Sequence, residues 1–231
     1  MNICGYQKTT LLDYPEHVAA TIFTGGCNFR CPFCHNSDLV IGNFNSFAVS
    51  EEEIYDFLKK RKKVLSGVCI TGGEPTLQSD LTNFIKQVKH LGYKVKLDTN
   101  GYFPHIVETL LNENLLDYIA MDLKGGLSNY SLVTGISDFT LDPIRKSISL
   151  LENSGIDYEF RTTVVKQLHT AQDFYEIKDL LSSQSHYYLQ YFQDSGKILT
   201  QGLSSCTRET MLEYLNIVQT KLPKAQLRGI D

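Results

Sequence analysis

Short β-rich runs alternate with helical patterns along almost the whole chain, and this alternation limits the possible folds more than any other feature. Strands are predicted at Val18–Thr24, Val68–Thr71, Tyr93–Asp98, Tyr118–Asp122, Tyr158–Val165 and Tyr187–Phe192. Helices are predicted between and after them, at Ser50–Leu65, Gln78–Leu91, Pro104–Asn112, Leu141–Ser154, Ala171–Leu181 and Arg208–Lys221. Ser50 followed by Glu51, Glu52 and Glu53 reads as a capped helix start with a negative first turn. Gly92 and Gly155 stand where helices end and a left-handed residue is wanted. Strand–helix repeats of this kind build a parallel sheet with right-handed crossovers. Six units are too few for the eight-stranded closed barrel, so an α/β partial (β/α)6 barrel is expected. No linker or low-complexity tract divides residues 1–231, which are expected to form one domain.

Folds of this class place their sites at the C-terminal ends of the strands. Polar clusters fall there repeatedly: Cys27–Cys34 after the first predicted strand, Gly72-Gly73-Glu74-Pro75 after the second, and Asp98-Thr99-Asn100-Gly101 after the third. Asp122-Leu123-Lys124 closes the fourth, Arg161 lies in the fifth, and Gln190 to Gln193 end the sixth. Each alone reads equally well as a turn or a cap. Together they are expected to line one rim.

The Cys27 segment is the most chemically specific of these clusters. Cys27, Cys31 and Cys34 have the spacing Cys-x3-Cys-x2-Cys, with no fourth Cys nearby. Three thiolates on a four-iron cluster leave one iron open, and an open position separates a reactive site from a structural one. A Cys3His zinc site including His35, or plain core thiols, are the alternatives. His35 directly follows Cys34, which is poor spacing for a shared tetrahedral ion. Gly72 and Gly73 let backbone approach a ligand closely, or simply form a tight turn. Asp98, Asp122 and Lys124 can bind ribose hydroxyls, a small cation, or one another. Phe33 offers a face for a flat base, or packs in the core.

Composition removes several classes of function. A formal net charge of −4 leaves no footprint for nucleic acid, whose binding needs a basic stripe. The run Lys59-Lys60-Arg61-Lys62-Lys63 ends a predicted helix, where positive charge complements the dipole; a protein-docking patch is the lesser reading. No apolar run approaches membrane-spanning length, and Met1-Asn2-Ile3-Cys4-Gly5 lacks a signal-peptide pattern. Six Cys without such a signal point to a reducing, cytoplasmic setting. Cys69, inside a strand, is expected to be core, while Cys4 and Cys206 have no assigned role.

The Cys trio with Phe33, followed by Gly72–Pro75, resembles the radical S-adenosylmethionine superfamily, and within it the activating enzymes of glycyl-radical proteins. The resemblance also runs through Leu12-Asp13-Tyr14-Pro15, Asp98–Gly101, Met121-Asp122-Leu123-Lys124, Arg161 and Leu227-Arg228-Gly229. It covers nearly the whole chain and comes nearest to the activators of anaerobic ribonucleotide reductase. It implies that Cys27, Cys31 and Cys34 hold a [4Fe-4S] cluster whose open iron takes the amine and carboxylate of S-adenosylmethionine. It further implies that Gly72, Gly73, Glu74 and Pro75 meet the methionine amine and that Phe33 lies near the adenine. Asp98, Asp122, Lys124 and Arg161 would surround the ribose and carboxylate, and Asp98 and Asp122 would share a monovalent cation. Asp13 would hold the partner's glycine loop. The implied reaction is one-electron cleavage of S-adenosylmethionine and hydrogen abstraction from a glycine, fed by a flavodoxin- or ferredoxin-like reductant, with no general acid or base.

Two departures stand out. Relatives carry Asp-x-Pro-Gly where Glu16 follows Asp13-Tyr14-Pro15 here. Pyruvate formate-lyase activases carry a His on the last strand, where Leu189-Gln190-Tyr191 leads to Phe192 here. The second departure favours the reductase activator. An activase of another glycyl-radical enzyme such as pyruvate formate-lyase, a radical enzyme acting on a small molecule, and a metal-stabilised interaction protein are the competing readings.

Overall fold

All six expected strands form, and two more join them that the β-rich runs did not signal. The computed structural model describes residues 1–42, 48–194 and 196–230. The chain divides into two compact units. The first comprises Met1–Asn28, Asp38–Thr99 and Phe103–Ile119, and the second Phe29–Ser37, Asn100–Tyr102 and Ala120–Asp231.

In the first unit, β1 (Ile3–Thr10) runs antiparallel to β2 (Ala19–Thr24). β3 (Gly67–Gly72) and β4 (Lys94–Thr99) then continue parallel to β2, in the register Thr21↔Cys69↔Lys96. The short α1 (Ser37–Ile41) lies at the boundary of the two units. α2 (Glu51–Arg61), a single 3-10 turn at Pro75–Leu77, α3 (Leu81–His90) and α4 (Pro104–Asn112) complete this unit. α2 starts as its sequence dictates: the Ser50 hydroxyl accepts from the Glu53 N–H at 3.1 Å, and Lys59, Lys60 and Arg61 occupy the last turn. It ends at Arg61, before the expected Leu65, with Lys62 as its C-cap.

β5 (Tyr118–Asp122) passes from the first unit to the second. The second unit continues through α5 (Tyr130–Thr134), α6 (Asp142–Glu152), β6 (Asp157–Val164), α7 (Ala171–Leu180), β7 (Tyr187–Tyr191), α8 (Arg208–Gln219) and β8 (Gln226–Arg228). β6, β7 and β8 are neighbours in that order and parallel. Gly92 (φ +88°) and Gly155 (φ +74°) take the left-handed conformation expected of them.

The two extra strands escape sequence reading for physical reasons. β1 contains Gly5, Gln7 and Lys8 and is mostly half-exposed, so no alternation marks it. β8 has three residues, too few for a period. The expected wholly parallel arrangement is thus mostly parallel, β1 being the antiparallel exception.

Each unit has its own apolar interior. Ile22, Val68, Ile70, Val95 and Leu97 are buried in the first, and Phe160, Val164, Phe174 and Leu189 in the second. Each such side chain contributes about 2 kcal/mol of burial. Phe174 on α7 stacks on Tyr214 of α8 with centroids 4.4 Å apart, so these helices lock side chain to side chain.

Candidate cofactor and metal site

In the first unit the parallel pair Thr24↔Gly72 sets the ends of β2 and β3 side by side. The chain leaves β2 through Gly26 and reaches Cys27 in the next step. Gly73 N–H donates to the Thr24 carbonyl, and Glu74 N–H to the Gly26 carbonyl, both at 2.8 Å. A Cβ on Gly73 would lie 2.0 Å from the Gly26 oxygen, and one on Gly72 would lie 2.4 Å from the Thr24 nitrogen. The two glycines are therefore required by the protein's own backbone: they bring the Gly72–Pro75 turn onto the strand exit that carries Cys27. Glu74 is 1% exposed, and its carboxylate accepts from the Thr76 N–H at 3.0 Å, the Thr76 hydroxyl and the Thr99 hydroxyl at 2.7 Å. Glu74 so ties the end of β3 to the end of β4. Pro75 opens the 3-10 turn, where its fixed φ suits the first position.

Asp98, next to Thr99, does not stand alone. Its carboxylate pairs with the ammonium of Lys96, which is 2% exposed and also sits 3.9 Å from the Cys69 sulfur. Sequence reasoning missed Lys96 because Lys94-Val95-Lys96-Leu97-Asp98 looks like a strand with one face in water. Lys94 is indeed exposed, but Lys96 is buried, its nitrogen 5.8 Å from the centre of the Tyr118 ring. Asp13 is half-buried and accepts from the Thr21 hydroxyl.

In the second unit the other two thiols share one turn, closed by Cys34 N–H donating to the Cys31 carbonyl at 3.1 Å. This loop is fixed at several points. Arg30 N–H donates to the Thr134 carbonyl at 2.8 Å, Thr200 N–H donates to the Pro32 carbonyl at 2.9 Å, and the Ser37 hydroxyl donates to the Lys197 carbonyl. Phe29 anchors it from inside, against Tyr102 and Phe139 at 5.6 and 5.8 Å. Phe33 is buried and meets His169 edge-on at 6.4 Å, so protein occupies part of the ring expected near adenine.

Asp122, Lys124 and Arg161 form one ionic cluster. Asp122 accepts from Lys124 Nζ and from Arg161 Nε, each at 2.9 Å. Burial alone would raise the Asp122 carboxyl, but Arg161 and Lys124 outweigh it and hold the pKa at about 2. Burial likewise works against the Lys124 ammonium, while Asp122 and the Cys31 sulfur overcome it and push its pKa up. Burial pushes the Cys34 thiol up, opposed by the Asn36 N–H and then by the Lys124 charge. Cys34 so has a raised pKa overall, with the Lys124 charge among the influences that act against the rise. Tyr130 and His169 complete the surroundings: Lys124 N–H donates to the Tyr130 hydroxyl at 3.3 Å, and His169 Nε2 lies 2.8 Å from the Lys124 carbonyl. Neither residue belongs to a motif, so neither was legible in sequence.

Among the described residues none of the three motif cysteines is in a disulfide. Among the described residues no three His, Cys, Asp or Glu side chains group closely enough to hold a single metal ion. His35 packs on Phe192 with centroids 5.4 Å apart. Two thiols on one turn beside the Lys124 ammonium suit an iron–sulfur cluster, in which separate irons take separate thiolates.

The chain belongs to the radical SAM superfamily, whose sequence profile matches residues 21–181. It is a radical SAM enzyme, and membership implies a [4Fe-4S] cluster and S-adenosylmethionine. A Methanocaldococcus jannaschii protein, provisionally named a glycyl-radical enzyme activating enzyme, is 32% identical over 198 residues, which are 83% of this chain and 80% of that one. A Saccharolobus solfataricus protein provisionally named a GTP 3′,8-cyclase is 31% identical over 132 residues, 55% of this chain and 42% of that one. Among solved structures, Streptococcus suis SuiB bound to its precursor peptide SuiA matches with a TM-score of 0.68 at 18% identity. That match covers 90% of this chain and 48% of SuiB, so the chain spans about half of SuiB's length and shares its α/β fold. Among the described residues no helix is long and apolar enough to cross a membrane.

Proposed function

We propose that this enzyme is an activase that generates a glycyl radical on a partner protein, and that the partner is anaerobic ribonucleotide reductase. The likeness over 83% of the chain to a relative named as such an activase carries the reading. When bound, the cluster and S-adenosylmethionine supply the one-electron chemistry: reductive cleavage of a carbon–sulfur bond and abstraction of a hydrogen atom from the partner's glycine.

The chain's own residues bind, orient and exclude water. Cys27, Cys31 and Cys34 serve as the cluster thiolates, with Lys124 offsetting their charge. Lys124 and Arg161 meet the methionine carboxylate, and Asp122, ionised down to about pH 2, accepts from ribose hydroxyls. The Gly72–Pro75 turn receives the amine, Phe33 borders the adenine, Asp98 serves the ribose or a monovalent cation beside Lys96, and Asp13 holds the glycine loop. A flavodoxin- or ferredoxin-like protein supplies the electron.

The test is anaerobic reconstitution and reduction, followed by S-adenosylmethionine and the reductase. A glycyl-radical doublet in the electron paramagnetic resonance spectrum, with 5′-deoxyadenosine in the same tube, supports the reading. Deoxyadenosine without the doublet discards this partner, and neither signal from cluster-loaded protein discards the activase. Cys31→Ala is expected to lose the cluster, read as iron per chain. The likeness to a GTP cyclase over 55% of the chain favours a small-molecule substrate as the second reading. Deoxyadenosine formed only when a nucleotide replaces the reductase would establish it.

A further inference from the structure

Arg161 stands between two carboxylates of the second unit. Its Nε donates to Asp122 Oδ1 at 2.9 Å, while its Nη1 lies 3.9 Å from Glu159 Oε1. Glu159 is two residues before Arg161 on β6, so both side chains leave the same face of the strand. Glu159 is 2% exposed, and a carboxylate that deep needs a cation. Arg228, on β8, supplies it. Nη1 and Nη2 each donate to a different Glu159 oxygen at 2.9 Å, a two-pronged pair, and the guanidinium lies 3.7 Å from the centre of the Tyr188 ring. The parallel pair Gln190↔Arg228 holds β8 on β7 and fixes where this guanidinium starts.

The four side chains alternate in sign: Asp122, Arg161, Glu159, Arg228. Without Arg228, the buried Glu159 charge would still face Arg161 Nη1, 3.9 Å away, and would draw it from Asp122. We infer that Arg228 is a positioning residue: by saturating Glu159 it keeps Arg161 committed to Asp122, and so keeps the carboxylate-binding end of the cofactor site in place. The inference rests on the proposed role of Asp122, Lys124 and Arg161 toward S-adenosylmethionine.

The test is anaerobic equilibrium dialysis of S-adenosylmethionine against cluster-loaded protein, with iron content and the urea unfolding midpoint of the cluster-free form measured alongside. Arg228→Met is expected to raise Kd about tenfold at unchanged iron content. Adding Glu159→Gln to Arg228→Met removes the competing charge and is expected to return Kd to within about threefold of the unchanged protein. Arg228→Lys keeps the charge but loses the fork, so it should fall between. It keeps the series readable if the Met variant unfolds. A Kd unmoved by both Arg228→Met and Arg228→Lys overturns the inference. So does a loss that the second substitution does not repair, or one that follows a fall in the urea midpoint, which is what a merely structural strut would show. Cluster-loaded, unsubstituted protein that binds no S-adenosylmethionine would overturn the proposed function itself, and this inference with it.

Discussion

Glu16 holds a φ of +64°, the left-handed region that costs an L side chain about 1–2 kcal/mol. It follows Asp13-Tyr14-Pro15, at the position where the family resemblance leads one to expect glycine, and its backbone takes a conformation that favours glycine. Glu16→Gly is therefore expected to raise unfolding stability by about 1 kcal/mol, because relief of strain outweighs the entropy glycine adds to the unfolded chain. Urea unfolding of the cluster-free protein checks it, and a loss of stability would show that the Glu16 side chain makes a compensating contact. The departure was legible in sequence, but its backbone meaning was not. Lys96 and Glu159 belong to no motif in the sequence, and both prove to be 2% exposed.

At the scale of elements, five-residue α5 supports the thiol loop. Its C-cap, Gly135, has φ +70°, and a Cβ there would lie 2.5 Å from the Arg30 carbonyl oxygen, next to Cys31. Gly135→Ala is expected to cost about 2 kcal/mol and to lower iron per chain after reconstitution. Gly155→Ala is the control: its φ is +74° but nothing lies within 4 Å of its Cβ, so it should cost about 1 kcal/mol and leave iron loading intact. Equal iron loading in the two variants would count against the anchoring role. α5 was not foreseen, because one turn of Tyr130-Ser131-Leu132-Val133-Thr134 shows no period. The longer helices were legible through their apolar periodicity, joined at Ser50 before α2 by a cap.

For the whole molecule, acid is the informative perturbation. His169 is buried, with Nδ1 3.0 Å from the Val165 nitrogen and 3.3 Å from the Val165 carbonyl oxygen, and Nε2 2.8 Å from the Lys124 carbonyl. Burial lowers its pKa from 6.5, against the pull of the Lys124 carbonyl and Asp173. A folded-state pKa below the unfolded one means that the unfolded chain binds the proton more readily. The stabilisation is whole above the unfolded value and is lost as pH falls through the folded one. The unfolding midpoint of cluster-free protein should therefore drop as pH falls below the ordinary histidine value of 6.5, and His169→Gln should flatten that drop. His35 shifts in the same direction and contributes to the slope that remains. An identical slope in both proteins would remove His169 as the cause. Strand order and the strand-end clusters were readable because each strand repeats one local pattern. The charge partners of those clusters were not, since they depend on which residues of distant strands share a face. β1 carries one further consequence. Its register slips between Ile3 and Gly5 and again between Gln7 and Thr10, and Ile3 also pairs with Val49. Bulges of this kind make a poor template for an added strand. The edge guards against self-aggregation, and it directs any docking protein to recognise side chains and loops in place of extending the sheet.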